Sequence, residues 1–177
     1  MTIKEFRKAS AAYDVCELVE GQLVPELPSD MLQGRAASNL SGLLFKYVKR
    51  VGGGRVLGNK CGLVTDPVGP TVRGVDVLYI SHDRFSPKIM RDEFLRKPPE
   101  FIAEIKGKNR TWSGLLKRVE EYHKFGVDLV WLVDPKLRAV HTFPNGGKCV
   151  IKFEHEMIAG GKVLPKFKCK IARFFED

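Results

Sequence analysis

The sequence predicts a mixed α/β layer fold, a central β-sheet flanked by helices. Three observations carry this expectation. Two stretches, Leu32–Val51 and Leu115–Phe125, place apolar residues at three- and four-residue steps, the helical period. Short apolar runs of strand length lie between and after them, bounded by Gly, Pro and Asp. The order is helix, three strands, strand, helix, strand and then strand pairs, so the two kinds of element alternate and imply a mixed sheet.

Cys16–Val24 alternates around Gly21 and reads as a small N-terminal hairpin. Leu32, Ala36, Leu40, Leu43, Leu44, Tyr47 and Val51 form the apolar stripe of the first long helix, with Ser29 and Asp30 as N-cap candidates. Gly52-Gly53-Gly54 frees the chain to turn into strand-like runs at Arg55–Leu57, Gly62–Thr65 and Val75–Ile80. Pro98-Pro99 breaks the chain before the strand Phe101–Lys106. Leu115, Leu116, Val119, Tyr122 and Phe125 mark a second helix, opened by Asn109 or Thr111 and stopped by Gly126. Val127–Val133 is almost unbroken apolar sequence, suited to a strand covered on both faces. Asp134-Pro135-Lys136 turns it into an antiparallel neighbour, Arg138–Phe143. Cys149–Phe153 and Lys162–Phe167 supply further C-terminal hairpin pieces.

At 177 residues, with 44% hydrophobic and 29% charged side chains, the chain is long enough to bury a core without staples, and one domain over 1–177 is expected. Four cysteines, Cys16, Cys61, Cys149 and Cys169, show no C-x-x-C spacing, so neither a zinc knuckle nor a disulfide framework is indicated. His82, His123, His141 and His155 lack ligand spacing too. The first residues form no secretory signal and no apolar run can span a bilayer, which points to a cytoplasmic protein without a membrane partner.

Thirty basic against twenty-one acidic residues give a formal charge of +9, compatible with a polyanionic partner. The charge is uneven: residues 31–60 carry Arg35, Lys46, Lys49, Arg50, Arg55 and Lys60 with no acid, and Lys166, Lys168, Lys170 and Arg173 cluster later. Gly52-Gly53-Gly54 follows a helix and lacks a Lys-Ser/Thr, so it is a loop, not a phosphate cradle.

Two apolar strands hold unexpected charges: Asp76 in Val75–Ile80, and Glu104 with Lys106 in Phe101–Lys106. Alternation puts Glu104 and Lys106 on one face, and Asp76 approaches both if the strands are neighbours. Buried carboxylates cost several kcal/mol each unless compensated. Two that converge form a hard-oxygen site of the kind that holds Mg²⁺ together with water and phosphate oxygens. A nearby ammonium can stabilise charge developing on a phosphate. The grouping suits metal-assisted phosphodiester hydrolysis; an ion pair on an exposed strand face, with Asp76 as a turn or cap residue, is the plainer alternative.

These residues, with Glu17-Leu18-Val19-Glu20-Gly21, Arg73-Gly74-Val75-Asp76-Val77, Pro99–Ile105, Tyr122–Val127, Trp131–Pro135 and Val163–Phe167, resemble the PD-(D/E)XK, restriction-endonuclease-like superfamily, specifically its bacterial Uma-two branch. Tyr122-x-x-x-Gly126-Val127 followed by Trp131-Leu132-Val133-Asp134-Pro135 is the most specific stretch. The resemblance implies a restriction-endonuclease-like mixed central sheet with an N-terminal hairpin and C-terminal hairpins. It makes Asp76 and Glu104 metal ligands for Mg²⁺ or Mn²⁺ and Lys106 the motif lysine, with Glu17 and Glu20 as additional acids. Val75 stands where the branch usually has proline, and Gln33 where a histidine often precedes glycine. Many members carry an aliphatic residue at the position of Lys106 and a basic one on the next helix, here Lys117 or Arg118. Gln33, Arg35, Lys117 and Arg118 are thus auxiliary candidates for base or phosphate contacts, or for the lysine's task.

The resulting expectation is a metal-dependent endonuclease that holds DNA through backbone phosphates, with a homodimer as a natural way to cut two strands. A catalytically idle DNA-binding or accessory module of the same fold is the alternative, since fold does not fix activity.

Overall fold

The protein is described by a computed structural model over residues 1–13, 15–84 and 93–177. A short helix α1, Ile3–Ala9, opens the chain, stabilised by a capping box between Thr2 and Glu5. Strands β1, Cys16–Val19, and β2, Gln22–Pro25, form the expected hairpin. Its two-residue turn, Glu20-Gly21, is left-handed at both positions (φ 49° and 78°), the twist that matches the flanking strands.

Helix α2 runs Met31–Val51, capped by the Asp30 carboxylate and closed by left-handed Gly52. The strand-like runs at Arg55–Leu57 and Gly62–Thr65 join into one bulged strand, β3, Arg55–Asp66, paired with β4, Thr71–Ile80. Then come β5, Phe101–Ile105, and α3, Trp112–Phe125, capped by Thr111 and ended at Gly126. Strands β6, Leu129–Asp134, and β7, Ala139–Pro144, form the predicted antiparallel pair, with Asp134 accepting the Lys136 and Leu137 amides at their turn. The chain closes with β8, Val150–Phe153, β9, Met157–Gly160, β10, Leu164–Lys170, and a 3₁₀ turn at Ile171–Phe174.

Strands β1 to β8 make one mixed sheet in the order β2-β1-β4-β5-β6-β7-β8, with β3 along the other edge of β4. Among the strands of the described residues β5 and β6 alone pair in parallel, with α3 as their crossover, and a single parallel bridge joins Leu63 to Leu95. Strands β9 and β10 form a separate hairpin. The apolar run in β6 is covered on both faces, as its composition predicts. Trp131 and Val133 pack with Leu40, Leu44 and Tyr47 of α2 and with Phe167 and Phe174. Val130 and Leu132 pack with Leu115, Val119 and Tyr122 of α3. Among the described residues no helix is long and apolar enough to cross a membrane, and the four cysteines are unpaired.

Candidate active site

The site grows from the central strands. Val77 pairs with Ala103 in the antiparallel β4–β5 ladder, so Asp76 and Glu104 stand next in register. The Asp76 side chain takes over where the ladder ends: its Oδ2 accepts the Ile105 amide at 2.8 Å. On the other edge of β4, Gly58 pairs with Val77 and Cys61 with Val75, leaving Asn59 and Lys60 opposite Asp76 as a bulge. Both bulged residues are left-handed (φ 57° and 59°), a conformation costing a non-glycine residue about 1–2 kcal/mol. The bulge re-aims Lys60 inward, as bulges beside functional sites often do. Gly58 sits close to this strand, since a Cβ would lie 3.0 Å from the Asp76 carbonyl oxygen, a tight contact.

Asp76 and Glu104 converge on one cation. Arg110 Nη1 lies 3.1 Å from Asp76 Oδ2 and 2.5 Å from Glu104 Oε2. Lys60 Nζ lies 2.9 Å from Asp76 Oδ1 and 3.1 Å from Glu26 Oε2. Glu104 Oε1 accepts the Tyr122 hydroxyl at 2.5 Å and has Arg118 Nη1 at 3.7 Å. Arg118 also makes a bidentate pair with Glu17 (2.8 and 2.6 Å) and reaches Glu26 Oε1 at 2.9 Å. Glu17 in turn accepts the Gly74 amide and Arg73, which engages Glu121. The result is a continuous network of acids and fixed cations between the sheet, α3 and the N-terminal hairpin.

Burial explains why so many charges must be paired. Glu104 has no solvent exposure and Asp76 only 6%. Burial and the neighbouring Glu104 charge raise the Asp76 carboxyl above its ordinary range, outweighing Arg110 and Lys60. Burial pushes Glu104 the same way, but Arg110, Arg118 and Lys60 overcome it and hold that carboxyl at about 2. Burial and Glu104 raise the Tyr122 hydroxyl well above its usual value, so it donates a hydrogen bond rather than ionising. The pair is therefore asymmetric: Glu104 is the firmly ionised member.

The structure gathers Asp76, Glu104, Glu17 and Arg118 from the sequence-based candidates, with Gln33 at the edge. Gln33 is buried and its Nε2 donates to the Ile105 carbonyl at 3.2 Å, so it positions the end of β5. A side chain at Gly107 would collide with the Gln33 carboxamide, which ties that glycine to the arrangement. Lys106 does not join: its Nζ lies 6.0 Å from the Trp112 ring centroid, and among the described residues it pairs with neither carboxylate. Glu20 is exposed on the hairpin turn. Arg35 pairs with Asp177, and Lys117 is exposed beside Arg118 on α3. Lys60, Arg110 and Glu26 join the site without a sequence signal that marks them for it. The Asn59-Lys60 bulge leaves no linear pattern, and Arg110 sits in the turn before the α3 cap, where a basic residue reads as solvated.

The donor set fits a hard divalent ion. Two carboxylates offer oxygens to one shared cation, although Arg110 holds that position here. Among the described residues no third His, Cys, Asp or Glu completes a metal cluster, so remaining ligands would be water and substrate oxygens. A cavity of about 380 Å³ opens beside the network, lined by Glu26, Lys60, Arg110 and Arg118 together with Gly114 and Leu115 of α3.

Comparison with known proteins agrees with this architecture. The model of the Uma2 family, described as "Putative restriction endonuclease", matches residues 4–172. The chain belongs to the Uma2 family. A crystal structure of a putative nuclease belonging to DUF820 from Anabaena variabilis superposes with a TM-score of 0.82 at 15% identity, covering 99% of this chain and 97% of that one. That likeness identifies the fold as restriction-endonuclease-like, and the Uma2 membership makes the protein nuclease-like. No curated protein matches the sequence.

Proposed function

We propose that the protein is a divalent-metal-dependent endonuclease acting on DNA, with Asp76 and Glu104 as metal ligands. The observation that carries this reading is the convergence of both carboxylates on the single Arg110 Nη1 position. Mg²⁺ or Mn²⁺ held there would activate a water and polarise the phosphoryl oxygens. The chain's own residues supply the rest. Tyr122 and Arg118 fix Glu104, and the Ile105 amide fixes Asp76. Arg110, released from the carboxylates, offers a fork of donors suited to a phosphate. Lys60, beside Asp76, is better placed than Lys106 to orient a water or stabilise phosphorane charge. A homodimer would present two such sites to the two strands of a duplex.

A specific observation favours a second reading, an idle DNA-binding module: every oxygen of Asp76 and Glu104 already has a donor or cation from the protein. Incubating purified protein with plasmid and with single-stranded DNA, in Mg²⁺, Mn²⁺ or chelator, separates the two. The endonuclease predicts metal-dependent nicking that Asp76→Ala and Glu104→Ala abolish, and that Lys60→Ala reduces more than Lys106→Ala. Binding without nicking in every metal establishes the idle module instead. Arg110→Gln adds a readout independent of turnover. Removing the internal competitor should tighten Mn²⁺ binding by calorimetry, and an unchanged or weaker affinity would place the metal elsewhere.

A further inference from the structure

The two basic segments separated by more than a hundred residues in the sequence come together in space. Helix α2 packs its apolar stripe on the sheet and turns Lys46 and Arg50 toward β10, where Lys168 lies, with Arg173 just beyond. A groove of about 180 Å³ runs between them, floored by Leu43, Tyr47, Phe167 and Cys169. In that floor Tyr47 and Phe167 meet edge to face with ring centroids 5.5 Å apart. Arg50 Nη2 donates to the Lys166 carbonyl at 3.3 Å, clasping helix to strand.

Four cations thus face one groove, and among the described residues Lys46, Lys168 and Arg173 make no ion pair. Glu176 and Asp177 line the adjoining hollow together with Lys46 and Arg173, and Asp177 pairs with Arg35. Lys49 turns outward over the Phe45 ring at 4.8 Å and stays out of the groove. From Gln33, beside the carboxylates, to Arg50, the helix rises about 25 Å, so this surface is distinct from the candidate active site.

We propose that this α2–β10 groove is a second docking surface for a nucleic-acid backbone, one that grips phosphates away from the cleavage centre. Cations without ion pairs at a concave seam converge on a strand of phosphates, whereas a flat anionic membrane would meet a convex, outward-fanning face. A backbone contact of this kind supplies affinity without sequence information. The inference deepens the DNA-binding half of the proposed function and does not depend on hydrolysis.

The test reads binding of a labelled duplex of about 25 base pairs in chelator, across salt concentrations. The groove variant Lys46→Ser/Lys168→Ser/Arg173→Ser is compared with Lys124→Ser/Lys136→Ser/Lys148→Ser, which removes the same charge from exposed positions elsewhere. The groove variant should flatten the log–log salt slope by about 2–3 and weaken binding on the order of a hundredfold near 0.1 M salt. The control variant should keep the wild-type slope. Equal effects from the two variants would overturn the proposal, because only net charge would then matter. So would wild-type protein that does not bind the duplex, or a groove variant that loses phosphatidylserine vesicles while keeping its DNA slope. Because the DNA stays uncut in chelator, a positive result here alongside failed nicking would count against the metal centre alone.

Discussion

Two charged regions of this molecule follow opposite rules. Around Asp76 and Glu104 every buried charge has a partner: Lys60, Arg110, Arg118 and Arg73 interleave with Glu17, Glu26, Glu121 and the carboxylate pair. Along the α2–β10 groove cations stand side by side, and among the described residues no acid lines it, Glu176 and Asp177 adjoining only its Lys46 and Arg173 flank. Solvent makes the difference. A desolvated charge costs several kcal/mol and survives only when compensated, so the first network is fixed by folding itself. Exposed lysines keep their hydration and need no partner, so the second arrangement is neutral to folding and free for a ligand. Pairing in the first region therefore speaks to architecture as much as to chemistry, while its absence in the second speaks to function.

The sharpest way to break this contrast is to delete one cation from each region and follow unfolding. Arg118→Ala strips partners from buried Glu17 and Glu104 and should cost about 4 kcal/mol. That corresponds to a fall in Tm of roughly 8–16 °C for a chain of this length. Lys46→Ala, Lys168→Ala and Arg173→Ala should each stay within about 0.5 kcal/mol of wild type. An Arg118→Ala protein as stable as wild type would mean that the network is slack and that its pairing carries no architectural weight.

A smaller effect sharpens the asymmetry inside the carboxylate pair. Glu104 is held ionised by Arg110, Arg118 and Lys60, so Glu104→Gln should destabilise by about 3 kcal/mol. Asp76 is disfavoured as an anion by burial and by Glu104, so Asp76→Asn should change stability by less than about 1 kcal/mol. Denaturant unfolding of both variants without metal gives the comparison. Losses of equal size would show that the two carboxylates share their cations evenly.

Much of this was legible in the sequence, and the gaps have physical reasons. The α2 stripe, the apolar run of β6 and the charges at Asp76 and Glu104 are local patterns, and each survives into the structure because tertiary packing reinforces it. Helix α1 carries the capping-box signature Thr2-x-x-Glu5, yet its single buried residue, Phe6, leaves almost no apolar period to mark it. The cations at the site were illegible for a different reason. Lys60 reaches Asp76 only through a bulge in the β3–β4 register, and Arg110 only through the turn between β5 and α3. Lys106, by contrast, satisfies the strand alternation that made it a candidate, yet it follows the last β5 residue and turns toward Trp112. Likewise, the two basic segments were visible separately, but only the packing of α2 beside β10 joins them.

The smallest expected effect is a difference of slopes in acid. A carboxyl whose folded pKa is depressed contributes stability that is present above its ordinary pKa and is lost as pH falls toward the folded value. Glu104, near 2 in the folded protein against an ordinary 4.5, therefore loses its contribution across that interval. Glu26 acts in the same direction, since Arg110, Lys60 and Arg118 outweigh its burial, and so does Asp30 through the Gln33 amide. Asp76 works against them: its raised folded pKa means that the native protein takes up this proton first, which adds stability as pH falls through that window. Each such group changes the slope by at most about 1.4 kcal/mol per pH unit. Tm measured from pH 6 to pH 3 without metal should thus fall in wild type and fall more steeply in Asp76→Asn. The charged side chains of the groove are lysines and arginines, so the triple groove variant should trace the wild-type curve. If Asp76→Asn also traces it, the two carboxylates are not electrostatically opposed, and the convergence of both on Arg110 loses its strongest thermodynamic consequence.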